Sequence, residues 1–395
     1  MTGVDDARAP RRPLVIEAEP AFRTAHANPY NARLATTIAA DGHTVRDLSY
    51  VRLFTRPIDI VHLHWPELTF LTGRPWRAVA RMALFRAGMR VARLRNGTKV
   101  VWTVHNVASH ERRSTPRLRA MHRRLLTQEV DGLLSLSAGG LEAARDAYPE
   151  LADRPGTVTP HGHYRLDYDV TLPREQARAE RGVGSGAPVV ASVGMIRRYK
   201  NIPELVRTVV AGDADVELVI AGKPAGAELA DEIRTAAADD PRVRLDLAFQ
   251  SDAAIMAWIR AADVVVLPYR AIQNSGSAIL ALSADRPVVV PALGAMRELQ
   301  EQVGADWVRC YEGEFDADEL ARTLEWAARP RADRAPLDRL DWGPIAQRTV
   351  EAYRWVRDPG AEPRPVPETS VSETSMPATS VPETSMPATS VPVEH

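Results

Sequence analysis

Residues 263–291, DVVVLPYRAIQNSGSAILALSADRPVVVP, constrain the fold most, because they place a polar loop between two apolar runs. The runs at residues 264–267 and 288–290 are typical of buried strands, and residues 278–284 have a helical pattern. Free N–H groups and the helix dipole favour an anion where such a loop enters a helix. The pattern predicts a phosphate site. A helix N-cap with a tight turn and no ligand is the alternative.

Strand-like and helical segments alternate along most of the chain, in two series. The first has strand-like runs at residues 14–16, 45–48, 58–64, 99–104 and 132–136, and the second at 189–193, 216–221, 243–247, 264–267 and 288–290. Such alternation predicts the α/β class, with parallel sheets covered by helices on both faces. We expect two doubly wound parallel-sheet (Rossmann-like) domains that face each other across a cleft, where ligands bind.

The boundaries of these domains are predicted from shifts in composition. The domains are expected at residues 13–172 and 188–340, with a charged and glycine-rich linker at 173–187 between them. Residues 341–357 are predicted to form a last helix that could return to the first domain. Residues 1–12 and the tail at 358–395 are predicted to be disordered, because the tail repeats Pro/Ser/Thr-rich units such as PETSV, which cannot bury a core.

Net charge and cysteine content exclude several classes of protein. The formal net charge is -1, which gives no whole-protein field for nucleic acid. The single cysteine, Cys310, excludes an intramolecular disulfide framework and cysteine-rich zinc sites, and it fits a reducing compartment. No apolar stretch is long enough to span a bilayer, and the N-terminus lacks the apolar core of a signal peptide. We therefore expect a cytoplasmic protein.

One segment, residues 74–99, is strongly basic. Its basic residues are Arg74, Arg77, Arg81, Arg86, Arg90, Arg93, Arg95 and Lys99, with no acidic residue among them. Apolar residues alternate with these cations, which indicates an amphipathic helix. Two interpretations stay open: a solvated face beside a core face, or peripheral contact with an anionic membrane, here the inner face of the plasma membrane.

The predicted strand at 189–193 ends in a second polar loop. Gly194 permits a close turn, and Arg197, Arg198 and Lys200 follow it before the next helix. Three cations at the carboxyl end of a strand suit a diphosphate. A basic surface loop is the alternative, but the loop at 274–277 in the same domain favours a shared anion site.

These motifs resemble those of a known family. VGMIRRYKN, VELVIAGK, AADVVVLPY and NSGSAILALSADRPVVVP are similar to the nucleotide-sugar half of a GT-B glycosyltransferase, in the bacterial group related to glycosyltransferase family 4. NPYNARLATTIAADGHTV, DIVHLHWPE and KVVWTVHNVASHE resemble the acceptor half. The resemblance implies transfer of a hexosyl unit from a UDP- or GDP-sugar to a hydroxyl of a glycan or lipid-linked acceptor. It implies no metal and no tightly bound cofactor.

The resemblance also implies roles for individual residues. The diphosphate would be held by Gly194, Arg197 or Arg198, Lys200, Asn274, Ser275, Gly276 and Ser277. The acceptor side would include Asn28, Tyr30, Asn31, His64 and Asn106, and His105 would face the sugar or the acceptor. His161 and His163 reach the cleft or only pack between the domains. His62, His64 and Glu67 have a spacing that zinc could use, but an acceptor contact of His64 or Glu67 is favoured.

One departure from the family leaves the stereochemistry open. Family 4 members usually carry two glutamates eight residues apart, and the corresponding residues here are Ile272 and Leu280. An inverting reaction needs a base near the acceptor oxygen, for which the candidates are His105, Glu67 and Glu111. A retaining reaction needs none, because the leaving phosphate takes the proton. A nucleotide-sugar epimerase of the same fold and a non-catalytic nucleotide-sugar or glycan binding protein are the alternative functions.

Overall fold

The computed structural model describes residues 12–26, 28–106, 114–184 and 186–358. Within them, strands form two six-stranded parallel sheets. The first sheet contains β1 (Val15–Glu19), β2 (Thr44–Asp47), β3 (Ile60–Leu63), β4 (Lys99–Val104), β5 (Gly132–Ser135) and β6 (Gly156–Val158), in the order β2-β1-β3-β4-β5-β6. The second contains β7 (Val189–Val193), β8 (Glu217–Ala221), β9 (Val243–Asp246), β10 (Val264–Val266), β11 (Val288–Pro291) and β12 (Val308–Tyr311), in the order β12-β11-β10-β7-β8-β9.

Helices connect these strands. They are α1 (Tyr30–Ala40), α2 (Tyr50–Thr55), α3 (Pro66–Phe70), α4 (Pro75–Asn96), α5 (Pro116–Glu129), α6 (Ala138–Ala147), α7 (Arg174–Arg181), α8 (Ile202–Ala211), α9 (Ala227–Ala237), α10 (Asp252–Ala261), α11 (Gly276–Ser283), α12 (Met296–Val303), α13 (Ala317–Ala327) and α14 (Trp342–Arg357). Short 3₁₀ turns lie at Pro149–Leu151, Arg198–Lys200 and Asp338–Leu340.

Each sheet is buried on both faces, which explains its continuous apolar strands. In the second sheet, Val264 and Val266 pack in one core cluster while Val265 packs in another. In the first sheet, Val100 and Val101 divide in the same way between two clusters. Strands covered by helices on both faces have no solvent side and therefore need no polar alternation. The predicted pair of doubly wound parallel sheets is confirmed.

The structure differs from the sequence prediction at the edges of the sheets. β6 and β12 are edge strands that were not predicted as strands. They are short and only partly buried, so they lack the long apolar run that identifies an inner strand. Within the predicted linker at 173–187, α7 is a helix, and its Ala177 is buried in a core cluster of the second sheet. The charged side chains of α7 are exposed or partly exposed, away from Ala177.

The last helix, α14, packs on the first sheet. Ile345, Val350 and Tyr353 are buried with residues of β1, β3 and β4 in one core cluster. The Tyr353 hydroxyl lies 2.7 Å from Nδ1 of His62. The chain therefore passes through the second sheet and ends its described part against the first.

The basic segment forms α4, a helix of 22 residues. Met82, Phe85 and Met89 are fully or almost fully buried on one side. Arg93 forms ion pairs with Glu129 at 2.7 Å and with Asp131 at 3.0 Å. Another side exposes Trp76, Val79 and Leu84 together with Arg74, Arg77 and Arg90. Among the described residues, the helices are all too short or too polar to cross a membrane.

Candidate active site

A cavity of about 360 Å³ lies at the carboxyl end of the second sheet. Its wall also includes Asn28 and Pro29, from the loop before α1 in the first sheet's half of the chain. The remaining lining residues are Tyr164, Tyr168, Met195, Tyr199, Lys200, Tyr269, Ile272, Asn274, Ser275, Gly276, Ser277 and Leu280. The cavity thus brings together both polar loops that the sequence singles out.

Lys200 supplies the charge of this cavity, since the other described lining residues are all uncharged. Its Nζ lies 3.5 Å from the Ser277 hydroxyl and 5.9 Å from the centre of the Tyr269 ring. Burial, and then the nearby Arg197, lower the pKa of Lys200 from 10.5 to about 8. The ammonium is therefore mostly charged at pH 7, but it is poorly compensated by the protein. An anionic ligand would supply that compensation.

A close approach of two loops shapes the floor beside Lys200. Gly194 follows β7 with a φ of 102°, and Gly222 follows β8. A Cβ atom on Gly222 would stand 2.0 Å from the carbonyl oxygen of Gly194. Only glycine fits at Gly222. A Cβ on Gly194 would face Lys200 Nζ and Ser277 Oγ at 3.8 Å, so this position borders the cation directly.

The loop at 274–277 caps α11 and also lines the cavity. Ser275 is the N-cap of α11, and its side chain accepts a hydrogen bond from the backbone N–H of Ala278 at 3.1 Å. Ser277, two residues further along, lies beside Lys200. Asn274 donates from Nδ2 to the backbone carbonyl of His105 at 3.2 Å, and so connects the cavity to the first sheet. One serine is used as a cap while the other remains at the cavity.

The two arginines of the predicted cation cluster are placed differently from Lys200. Arg198 is exposed and forms ion pairs with Glu228 at 2.8 Å and Glu232 at 3.2 Å, both on α9. Its assignment to the diphosphate is therefore corrected: its partners lie on the outer surface and it does not line the cavity. Arg197 is exposed but close enough to Lys200 to lower the pKa of that lysine.

Four histidines, of which three are buried and His161 is partly buried, form a cluster at the carboxyl end of the first sheet. Nδ1 of His64 lies 3.2 Å from Nε2 of His105, and His105 stacks on Trp65 with ring centres 4.3 Å apart. His62 contacts the Thr103 hydroxyl through Nε2 at 2.7 Å. His161 lies 4.7 Å from Tyr30, ring centre to ring centre. Tyr30 is almost fully buried and also contacts the rings of His64 and His105.

Burial keeps these histidines neutral. It lowers the pKa of His62 to about 3 and that of His161 to about 4. Burial, followed by repulsion between the cluster's own rings, also holds the pKa of His64 and of His105 well below the usual value. A neutral imidazole carries one N–H and one lone pair, so each ring can both donate and accept a hydrogen bond at pH 7.

The other residues predicted for the acceptor side lie in several different places and do not form one cluster. Asn28 lines the cavity and accepts the backbone N–H of Tyr30 at 3.0 Å. Asn31 is buried, and both polar atoms of its amide lack a partner among the described residues. Asn106 is exposed. Glu67 lies on α3, near enough to Tyr148 to contribute to that residue's raised pKa. The candidate base Glu111 lies outside the described residues.

Two connections at the site were missed in the sequence. The Glu298 carboxylate, on α12, accepts the backbone N–H groups of Ala138 and Gly139 at 2.8 and 3.0 Å. It thereby caps α6 of the other half of the molecule. Tyr353 fixes His62 from a helix almost 300 residues further along the chain. Neither contact has a local signal, because each joins segments that only the tertiary fold brings together.

Comparison with known proteins decides the family. The profile of glycosyl transferases group 1 matches residues 187–329. The chain is 32% identical over 350 residues to a GDP-mannose:glycolipid 4-beta-D-mannosyltransferase of Xanthomonas campestris pv. campestris, an alignment that covers 88% of this chain and 93% of that protein. The chain belongs to the GT-B glycosyltransferases of the group related to family 4. It is therefore an enzyme that transfers a glycosyl unit from a nucleotide sugar.

Solved structures agree with the GT-B fold. A glycosyltransferase from Rickettsia africae aligns with a TM-score of 0.63 at 12% identity, over 88% of this chain and 99% of that chain. Sucrose-phosphate synthase from Thermosynechococcus elongatus aligns with a TM-score of 0.62 at 18% identity, over 87% and 99% of the two chains. At these identities the likeness concerns the fold alone.

This glycosyltransferase departs from its family inside the cavity around Lys200. Ile272 and Leu280, which stand where the family usually has glutamates, both line the cavity. No aspartate or glutamate is among its described lining residues. In the described part of the chain, no group of three or more histidine, cysteine or acidic side chains is arranged to hold a metal ion. The cavity therefore offers cationic and hydroxyl groups to a ligand.

Proposed function

We propose that this glycosyltransferase transfers a mannosyl unit from GDP-mannose to a hydroxyl of a glycolipid. The observation that carries the proposal is the 32% identity to a GDP-mannose:glycolipid mannosyltransferase over 93% of its length. The cavity around Lys200 supports it, since a buried ammonium beside the hydroxyl of Ser277 suits a nucleoside diphosphate.

In this proposal Lys200 acts most strongly on the leaving group. Negative charge grows on the diphosphate as its bond to the sugar breaks, and a cation already in position stabilises that charge without reorganisation. Gly194, Asn274, Ser275, Gly276 and Ser277 border the same space, with Arg197 nearby. The N-terminus of α11 adds the favourable end of a helix dipole.

The proposed reaction inverts the anomeric centre. The relative is named as forming a 4-beta-linkage, whereas the sugar of GDP-mannose is α-linked to its phosphate. Inversion requires a base that removes the proton of the acceptor hydroxyl. We assign that role to His105, which is neutral and linked through its carbonyl to Asn274 at the donor cavity. Glu67 remains the second candidate on the acceptor side.

The direct test is product analysis with the full chain. GDP-mannose and a glycolipid with a free terminal sugar hydroxyl are incubated with the enzyme, and UDP-glucose is the competing donor. We expect GDP release that depends on the acceptor, and a product with a β-mannosyl linkage by NMR. An α-linked product would remove the need for a base. A sugar altered without any acceptor would favour an epimerase, although that chemistry lacks carboxylates in the described lining.

We also propose that donor binding needs no metal and no other cofactor. The measurement is a thermal-shift screen with GDP, UDP, ADP and TDP, each with magnesium and with a chelator. A ligand that binds only the folded state raises the melting temperature by mass action. We expect GDP to give the largest shift, equal under the two conditions. A shift that requires magnesium would contradict metal independence.

The acceptor suggests a role for α4 in peripheral contact with an anionic membrane. Trp76, Val79 and Leu84 offer apolar side chains, and Arg74, Arg77 and Arg90 offer charge. Each basic residue near an anionic surface contributes about 1 kcal/mol to binding. We expect cosedimentation with vesicles that contain anionic lipid, weakened by salt and by Arg77→Glu combined with Arg90→Glu. Equal binding to neutral vesicles would contradict this.

A further inference from the structure

The orientation of His105 is set by its neighbours rather than by solvent. His105 is 8% exposed and His64 is 3% exposed. Trp65 stacks on the His105 ring at an angle of 18°, which fixes the plane of the ring. Within that plane, Nε2 of His105 lies 3.2 Å from Nδ1 of His64. The contact therefore uses one of the two ring nitrogens of His105, Nε2, and the other nitrogen, Nδ1, is not part of it.

His64 is itself held by a chain of contacts. Its ring centre lies 4.0 Å from that of His62. Both nitrogens of His62 have partners, since the Thr103 and Tyr353 hydroxyls each lie at 2.7 Å. A ring packed against such a fixed neighbour has little freedom to turn. This burial differs from the sequence expectation that His64 contacts the acceptor, because a residue with so little exposed surface is better placed to act through another residue.

The direction of the hydrogen bond decides what His105 can do. Each neutral imidazole carries one N–H and one lone pair. If His64 donates, Nδ1 of His105 carries the proton and can only donate to a substrate. If His105 donates from Nε2, its Nδ1 has the free lone pair and can act as a base. The tautomer of a histidine is set by the hydrogen bond that its other nitrogen makes.

We propose that His64 is a positioning residue, which accepts the Nε2 proton of His105 so that Nδ1 of His105 takes the proton of the acceptor hydroxyl. In that step the acceptor O–H bond breaks and its oxygen bonds to the anomeric carbon. The bond from that carbon to the diphosphate breaks, and GDP leaves with the electron pair. The proton ends on His105, whose imidazolium stays hydrogen-bonded to His64. This role rests on the proposed inverting mannosyl transfer.

The surroundings of His105 determine how the step depends on pH. His62 and His64 face it from the end of β3, His161 from the segment after β6, and Tyr30 from α1. The three histidines are uncharged at pH 7, so they offer no negative charge to a protonated His105, and burial opposes that charge first of all. With the donor saturating, kcat should therefore fall at acidic pH, where His105 becomes protonated before the acceptor arrives.

The experiment compares full-length variants at His64 with the wild type. His64→Leu removes the ring nitrogen that accepts the hydrogen bond from Nε2–H of His105. His64→Asn keeps an oxygen that can accept the same hydrogen bond. We expect His64→Leu to lower kcat roughly 10- to 100-fold, less than the roughly 10²- to 10⁴-fold contribution of a whole general base because His105 itself remains, while affinity for GDP is unchanged. His64→Asn should recover most of kcat. His105→Asn should abolish transfer, because an amide cannot take the proton.

The control is His43→Asn, a histidine whose Nδ1 accepts the backbone N–H of Leu14 at the opposite end of the first sheet. It should leave kcat and its pH profile unchanged. The inference is overturned if His64→Leu keeps wild-type kcat, if it changes only KM, or if His64→Asn is as impaired as His64→Leu. Retained transfer by His105→Asn overturns it even if His64→Leu does not fold. A wild-type enzyme that forms no β-mannoside would instead refute the proposed function.

Discussion

The two sides of the cleft respond differently to the same physical effect. Burial lowers the pKa of Lys200 on the second sheet's side and of the histidine cluster on the first sheet's side. Lysine starts near 10.5 and stays mostly charged at pH 7, whereas histidine starts near 6.5 and becomes reliably neutral. The same desolvation therefore leaves Lys200 mostly charged on one side and the histidines neutral on the other.

The packing of the two sides differs in the same sense. Lys200 borders an open cavity and has a weak contact with Ser277 at 3.5 Å. The histidines contact each other and a shell of aromatic residues at short distances. A ligand can enter the cavity and contact Lys200, but it can contact the packed histidine cluster only at its edge. The second sheet's side thus has an open cavity, while the histidines of the first sheet's side are closely packed.

The largest expected effect is on the donor side. Lys200→Ala should lower turnover about 10²- to 10³-fold, the usual loss when one positioned donor to a transition-state charge is removed. Initial rates of GDP release measure this, and circular dichroism checks that the variant is folded. Arg198→Ala is the matched control, because that arginine pairs with Glu228 and Glu232 instead. Unchanged turnover in Lys200→Ala would refute the assignment of Lys200.

The next effect concerns the stability of the acceptor side. Tyr353→Phe removes the hydroxyl that contacts Nδ1 of His62 and leaves a buried polar atom without its partner. We expect the free energy of unfolding to fall by about 1–3 kcal/mol, with little change in affinity for GDP. Thermal and urea unfolding measure the loss. The control is Tyr311→Phe, at a buried tyrosine of the second sheet. An equal loss of free energy of unfolding in that variant would mean that the contact with His62 has no particular importance.

A smaller effect concerns how affinity for GDP depends on pH, which should report on the charge of Lys200. Lys200 has a pKa of about 8 without ligand, and a bound diphosphate favours its charged form and raises that pKa. Affinity for GDP should therefore be constant below pH 8 and fall up to about tenfold for each pH unit above it. Titrations at increasing pH measure this. In Lys200→Arg, affinity for GDP should not change with pH, because arginine stays charged. If it still fell above pH 8, a group other than Lys200 would be responsible for the titration.

The second sheet's side was largely predictable because its signals are local. Gly194, Lys200 and the loop at 274–277 each follow or precede a recognisable apolar run. A parallel fold brings the carboxyl ends of such strands to one edge. Strand bounds were predicted without error for β4 and β7, both inner strands. The error at Arg198 came from α9, whose two glutamates attract the arginine outward.

The first sheet's side was only partly predictable, for the opposite reason. His105 and His64 were recognised, but their mutual contact depends on how β3 and β4 end beside one another. Tyr353 and Trp342 join the cluster from a helix at the end of the described chain. Hydrophobic patterning predicts that such a helix exists. It does not predict which of its polar atoms meets which histidine, because that choice depends on packing.

The smallest expected effect tests the contact that joins the two sides. Glu298 accepts two backbone N–H groups at the start of α6, but its side chain is partly accessible to solvent, so water screens the interaction. Glu298→Ala should cost about 0.5–1 kcal/mol and weaken GDP binding only a few-fold, by making the arrangement around the cavity less populated. Glu301→Ala, exposed on the same helix, should change neither quantity. An effect of Glu298→Ala as large as that of Lys200→Ala would mean that this carboxylate contacts the donor itself. The division between a charged donor side and a neutral acceptor side would then have to be revised.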